Sequence, residues 1–283
     1  MTVTGTTLVI GATGTTGSRT AARLVAAGHR VKAGSRRASA TLPGTEPVRF
    51  DWYEPATFGD ALAGVDRLYL VPPVGDPDPV AVMAPFLRQA RDGGVHRAVL
   101  LSSSAVPEGG PAVGAVHRAL PGLFDHWAVL RPSWFMQNFT GTHVHADSIR
   151  DDGVILTATG SGRIGFVDAD DIAAVAAHAL TDDRAPNTDL VLTGPEALGH
   201  DDIARILSEV TGRPVAHRRL THDGLRDRLA PLMPPEFATM LADMDRAIAD
   251  GAEDRTTDTV RRITGRPPHG FRQVAERELA HGG

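Results

Sequence analysis

Short apolar runs alternate with stretches of helical period along the first half of the chain. Thr6 to Ile10 is a β-branched run that stops at Gly11. From Thr15 to Ala27 the apolar residues recur on one face, and Gly28 follows as a stop. The same reading predicts strands over 31–34, 48–50, 67–71, 98–101 and 128–130, and helices over 55–63, 79–92 and 112–120. Near-continuous apolar strands separated by helices predict a parallel sheet covered on both faces.

The alternation weakens after about Asp147. Short strands are expected over 154–158, 164–167 and 190–192, and helices over 170–180, with Asp168 as N-cap, and over 200–211, closed by Gly212 and Pro214. Pro231, Pro234-Pro235 and Pro267-Pro268 break the remainder into what reads as short helices. The expected organisation is α/β: a doubly wound parallel sheet over 1–153, with 163–193 contributing, and a smaller α+β substrate lobe over 194–283.

Composition removes several classes of function. Of the 283 residues, 42% are hydrophobic and 22% charged, which is ordinary for a globular chain. The net charge is -5 and the arginines are scattered, so the basic stripe that grips nucleic acid is missing. There is no cysteine, which excludes disulfides, thiolate metal sites and cysteine nucleophiles. No apolar run has membrane-spanning length and the opening residues lack a signal-peptide pattern. A cytoplasmic protein with a small-molecule substrate and no nucleic-acid or membrane partner is expected, a homodimer being left open.

Gly11-Ala12-Thr13-Gly14-Thr15-Thr16-Gly17 stands directly after a predicted strand and opens a predicted helix. Gly11 allows the tight turn, Gly14 lets the backbone approach a pyrophosphate, and Gly17 lets helix and strand pack closely. The free N–H groups of the helix start then face the anion. A glycine-rich connection without a ligand does not account for three glycines with small residues between them. The domain therefore reads as Rossmann-type.

The second strand end separates the dinucleotides. A carboxylate there holds the ribose hydroxyl of NAD, whereas this chain reads Gly34-Ser35-Arg36-Arg37. A guanidinium can fork onto a 2′-phosphate, so Ser35, Arg36 and Arg37 point to NADP(H) as cofactor rather than to two solvated arginines.

With these segments in view, the chain resembles the NmrA-like atypical short-chain dehydrogenases. The loop 11–17, Arg36, Phe50-Asp51-Trp52 and the run Leu130 to Phe139 carry the likeness. Gly110 to His117 and Gly265-Arg266-Pro267-Pro268 resemble more narrowly the branch holding the ergot-alkaloid iminium reductases of the agroclavine dehydrogenase type. The resemblance implies Asp51 and Trp52 beside the adenine, Val71, Pro72 and Pro73 along the cofactor, and Ser102 and Ser103 below the nicotinamide. It further implies Pro132, Ser133, Trp134 and Phe135 over the nicotinamide side, and His117 near where relatives carry a lysine. His117 and Ser102 are thereby the candidate catalytic residues. Trp134, Phe135, Met136 and Asn138 are the candidate substrate residues, read as pocket wall rather than core because they follow Arg131-Pro132 at a strand's carboxyl end.

One departure from the wider superfamily is informative. Tyr-x-x-x-Lys is absent: Lys32 is the only lysine, and neither Tyr53 nor Tyr69 has a lysine four residues on. Ketone reduction by a tyrosine acid is not expected. Other constellations read as structural. His143-Val144-His145 has no acidic partner nearby in sequence and is expected to be solvent-exposed. Asp168, Asp170 and Asp171 are attributed to helix capping, and no metal is expected. Ser102-Ser103-Ser104 lacks a nucleophile elbow. The expected function is NADPH-dependent reduction of an imine, iminium or related electron-poor bond. The alternative is a non-catalytic NADP(H)-binding redox sensor.

Overall fold

The computed structural model describes residues 5–38 and 42–280. In chain order it contains β1 (Thr6–Ile10), α1 (Thr15–Ala26), β2 (Arg30–Ser35), β3 (Glu46–Arg49), α2 (Phe58–Leu62), β4 (Arg67–Leu70), α3 (Pro79–Asp92), β5 (Arg97–Leu101), α4 (Val113–Ala119) and β6 (His126–Pro132). There follow α5 (Val144–Asp152), β7 (Val154–Thr157), β8 (Arg163–Ile164), α6 (Ala169–Thr181) and β9 (Thr188–Leu192). The chain then runs through β10 (Leu198–Gly199), α7 (His200–Thr211), β11 (Ala216–Arg219), α8 (His222–Leu229), α9 (Pro235–Ala249), α10 (Thr259–Thr264) and α11 (Phe271–Leu279). Among the described residues, no helix is long and apolar enough to cross a membrane.

Two compact units emerge. The first holds the residues up to Pro132 together with Ala169–Leu192 and Arg262–Gly265. Its sheet has the strand order β3-β2-β1-β4-β5-β6-β9, with every neighbouring pair parallel. All five residues of β1 are buried, as a central strand covered on both faces requires. α1 and α6 pack together, as do α3 and α4. A knot of Phe50, Trp52, Phe58 and Phe86, with centroids 4.8–5.6 Å apart, fills the core under α2 and α3. This is the expected doubly wound Rossmann-type sheet.

The second unit comprises Ser133–Asp168, Thr193–Arg261 and the residues from Arg266. The division thus falls at Pro132, and residues 133–153 lie in the second unit, where sequence reading had carried the first stretch to 153. β7 and β11 pair in parallel and β8 and β10 antiparallel. Met136, Phe139, Ile164, Phe166, Leu207, Ile248 and Phe271 belong to its main core. The proline-broken tail is not all short helices. α9 runs for 15 residues because Pro235 occupies its first turn, where no backbone donor is lost. β11 escaped notice because Ala-His-Arg-Arg has no apolar alternation.

Asp168 is fully buried and its carboxylate is held by side chains. Arg277 reaches both of its oxygens at 3.1 Å, Gln137 donates to it at 2.8 Å, and His269 lies 2.9 Å away. It therefore anchors α11 within the second unit, a role that the capping assignment had not anticipated.

Candidate cofactor and substrate site

The first unit builds the phosphate loop as expected. Gly11 has φ +71°, and Gly14 N–H donates to its carbonyl at 2.9 Å. A side chain at Gly17 would run into that same carbonyl, so the helix can approach the strand only with glycine there. No side chain caps the start of α1, which leaves its first N–H groups for an anion. Thr13, Gly14 and Thr15 are exposed, whereas Thr16 and Gly17 are buried, so these last two can offer a ligand only backbone. The loop's geometry fits a dinucleotide pyrophosphate.

At the end of β2, Ser35 Oγ donates to the Arg37 carbonyl at 2.7 Å, turning the chain so that Arg36 and Arg37 are both exposed. Neither guanidinium has a partner among the described residues. At the end of β3, Asp51 accepts the Tyr53 N–H at 3.0 Å. Trp52 is 9% exposed, buried in the aromatic knot, and its indole N–H donates to the Val71 carbonyl at 3.0 Å. Its ring is thus taken up by the core, and its bond ties the segment after β3 to the end of β4. Val71, Pro72 and Pro73 are half-buried along that edge.

The end of β5 carries the serines. Ser102 N–H donates to Leu130 O at 2.7 Å and Ser104 N–H to Pro132 O at 2.9 Å. Ser103 Oγ accepts the Ala105 N–H at 3.3 Å, while Ser102 Oγ is buried without a partner among the described residues. An orphaned buried hydroxyl at a carboxyl strand end fits a group that the loop would bind. Arg131, which the sequence reading did not assign to the site, braces this loop. It reaches Ser103 O at 3.4 Å, Ser104 O at 3.0 Å and Asp189 at 2.7 Å.

The tyrosines, the lysine and His117 have other surroundings. Tyr69 is fully buried, and burial pushes its hydroxyl up to about 12. Tyr53 is 64% exposed and bonds Asp76 at 2.6 Å, which raises its pKa. Lys32 Nζ donates to Asp60 O at 3.0 Å and Ala63 O at 2.8 Å. His117 on α4 is 2% exposed, packs by Trp127 at 6.3 Å between centroids, and has no partner at Nδ1 among the described residues. Burial lowers its pKa, so its neutral form is favoured.

The second unit positions the residues after β6. Trp134, Phe135 and Asn138 are half-buried. Phe135 forms a parallel bridge with Val167, and Ser133 Oγ donates to Glu253 at 3.4 Å. Met136 is a correction to the expected pocket wall: it is 1% exposed and packs in the core, because Met136–Asn138 is a 3₁₀ turn that swings it inward. His143 and His145 are a second correction. Both are half-buried; His145 stacks on Phe139 at 5.5 Å and lies 6.1 Å from His200. Only tertiary contacts, invisible in Val144's neighbours, draw them in. His200 starts a chain that runs from the interior through Thr159, Thr157 and His217 out to the exposed Asp201, each link 2.8–2.9 Å.

Comparisons with known proteins agree with this layout. Residues 11–183 match the NAD(P)H-binding family and 126–265 the NmrA-like family. The chain is 44% identical to the uncharacterized oxidoreductase YesF of Bacillus subtilis (strain 168), over 97% of its length and 95% of the relative's. Identity is 39% to festuclavine synthase II of Penicillium roqueforti (strain FM164), covering 96% and 98%. For agroclavine dehydrogenase of Claviceps fusiformis it is 40%, covering 78% and 80%. The triphenylmethane reductase of Citrobacter sp. shares the fold, with TM-score 0.79, 24% identity, and 98% and 99% of the two chains covered.

Proposed function

Because the chain belongs to the NmrA-like family of NAD(P)H-binding oxidoreductases, we propose that it is an NADPH-dependent reductase of small imine or iminium compounds. The observation that carries the reading is where the obvious proton donors lie. Tyr69 is enclosed in the core, the Lys32 ammonium is held by two carbonyls, and His117 is buried with its neutral form favoured. Reducing a ketone builds negative charge on oxygen and calls for a proton or strong hydrogen bonds. Reducing an iminium removes a charge instead, so orientation and an apolar surround suffice. Two relatives, named festuclavine synthase and agroclavine dehydrogenase, support an oxidoreductase that acts on a small alkaloid.

When bound, the reduced nicotinamide supplies the hydride. Gly11, Thr13, Gly14 and Thr15, with the backbone of Thr16 and Gly17, hold the pyrophosphate. Arg36 and Arg37 take the 2′-phosphate, which favours NADP(H) over NAD(H). Ser102 and Ser103, braced by Arg131, hold the nicotinamide end. Trp134 and Phe135, with Asn138, contact the substrate, and an aromatic face attracts a cation by about 0.5–2 kcal/mol.

The test is NADPH consumption, followed by absorbance, with matched cyclic imines and ketones. Consumption with imines and little with ketones is expected. Comparable ketone turnover contradicts the reading, and NADPH binding without turnover of any substrate favours a redox sensor.

A further inference from the structure

The turn after β6 sorts its side chains into three directions. Asn138 N–H donates to Phe135 O at 3.1 Å, Phe139 N–H to Met136 O at 3.1 Å and Thr140 N–H to Gln137 O at 3.4 Å. Such bonds wind the chain at about three residues per turn, so side chains three apart fall on one side. Met136 and Phe139 form one pair, 1% and 3% exposed in the core of the second unit. Phe135 and Asn138 form another, and both are half-buried. Gln137 and Thr140 form the third, and both bond one carboxylate of α11. Gln137 Nε2 donates to Glu278 at 2.8 Å, and Thr140 Oγ1 donates to its other oxygen. Gln137 Nε2 donates to Asp168 at 2.8 Å as well, and its residue is buried.

The core pair and the Gln137 bonds fix different things. Burial of Met136 and Phe139 is non-directional and sets how deep the turn sits. Gln137 sets which way it faces. A carboxylate only accepts, so the amide nitrogen must face both acids, and its two hydrogens hold it between them. That frame is itself braced, because Arg277 reaches both oxygens of Asp168 at 3.1 Å and Glu278 at 3.3 Å. Neighbouring side chains on such a turn point about 120° apart, so the direction of Gln137 dictates that of Asn138. Asn138 is an amide with the opposite circumstances: its side chain has no hydrogen-bond partner among the described residues. We propose that Gln137 is a positioning residue of the reductase. By spanning Asp168 and Glu278 it aims the Asn138 amide, which orients the polar end of the substrate beside Trp134 and Phe135. The inference rests on the proposed substrate face and deepens it, since it separates the residue that touches substrate from the one that holds it in place. A purely structural Gln137 would act without Asn138, and there the two roles diverge.

The experiment is a double-mutant cycle on the protein–NADPH complex, with N-methyl-3,4-dihydroisoquinolinium as substrate. Gln137→Met and Asn138→Ala are each expected to lower kcat/KM about ten- to a hundredfold, the scale of a misplaced substrate contact, with NADPH affinity unchanged. The double variant is expected to be no worse than Asn138→Ala alone, because nothing remains to be positioned. Glu278→Gln, which keeps an acceptor for Gln137, is expected to lose less than Gln137→Met. Should Gln137→Met fail to fold, Glu278→Ala frees one side of the amide and takes its place in the cycle. Losses that multiply across the cycle assign Gln137 a structural role and overturn the inference, leaving the substrate face standing. A folded Gln137→Met protein with undiminished kcat/KM, or one whose NADPH affinity falls equally, overturns it as well. An unchanged kcat/KM in Asn138→Ala overturns the substrate face and the inference together. If the wild type does not turn over the iminium, the proposed reaction fails and the same cycle is read by calorimetry with N-methyltetrahydroisoquinoline, the saturated amine. Non-additive losses of its affinity then uphold the positioning role, and additive losses or no binding overturn it.

Discussion

The Arg131 guanidinium lies 2.7 Å from the Asp189 carboxylate and reaches from there to the carbonyls of Ser103 and Ser104. One side chain on β6 thus fixes β9 on one side and the serine loop after β5 on the other. Arg131→Met leaves three acceptors without their donor and should cost about 2–3 kcal/mol of stability, by the usual worth of bonds to charged groups. Asp189→Asn keeps an acceptor and should cost less. Urea denaturation measures both, and kcat of the Met variant should fall more than its NADPH affinity because the serine loop loosens.

Arg36 is exposed and without a partner among the described residues, so its removal disturbs no internal bond. Arg36→Ala should weaken NADP(H) binding about ten- to a hundredfold, the loss of one charge-assisted contact of roughly 1.5–3 kcal/mol. NAD(H) binding should hardly change. Equal calorimetric losses for the two cofactors would put the phosphate contact elsewhere.

The double variant Tyr53→Phe with Tyr69→Phe should keep its turnover, since one hydroxyl is bonded to Asp76 and the other is enclosed. His117→Gln is the sharper probe, being the remaining candidate donor. Removing a working general acid costs about 10²–10⁴-fold. A loss of that size in a folded variant would restore acid catalysis to the account.

His200 is 2% exposed, and its pKa is lowered to about 3, chiefly by burial and then by His217. His145 is lowered to about 3 as well, again by burial first. Both fall below the unfolded value near 6.5, so the unfolded chain binds protons more readily than the folded one in acid. Stability should therefore be intact above pH ~6.5 and decline below it, by about 1.4 kcal/mol per pH unit for a single such histidine, until the folded pKa is reached. Melting temperatures from about pH 7.5 to 4.5 should fall less steeply for His200→Gln than for the wild type. Parallel slopes would mean that His200 does not carry the effect.

The first unit was legible because its signals are local. The strand at Thr6–Ile10, the glycines of the loop and the helix over Pro79–Asp92 are written in consecutive residues, and each appears where the pattern puts it. Met136 was misplaced because an apolar residue beside Trp134 and Phe135 reads equally as wall or core, and only the 3₁₀ turn decides. His145, Asp168 and Arg131 depend on partners 27 to 109 positions away or on stacking between segments, which periodicity does not record.

The central claim is hydride delivery to C=N without a protein acid. Its most direct measurement is single-turnover reduction of an N-methyl cyclic iminium salt by the protein–NADPH complex, beside the isosteric ketone, as a function of pH. The iminium takes up hydride and no proton, so its rate should stay level between about pH 6 and 9, with the ketone reduced slowly or not at all. Ketone reduction at a comparable rate, falling as pH rises through the pKa of a protein group, would contradict the account.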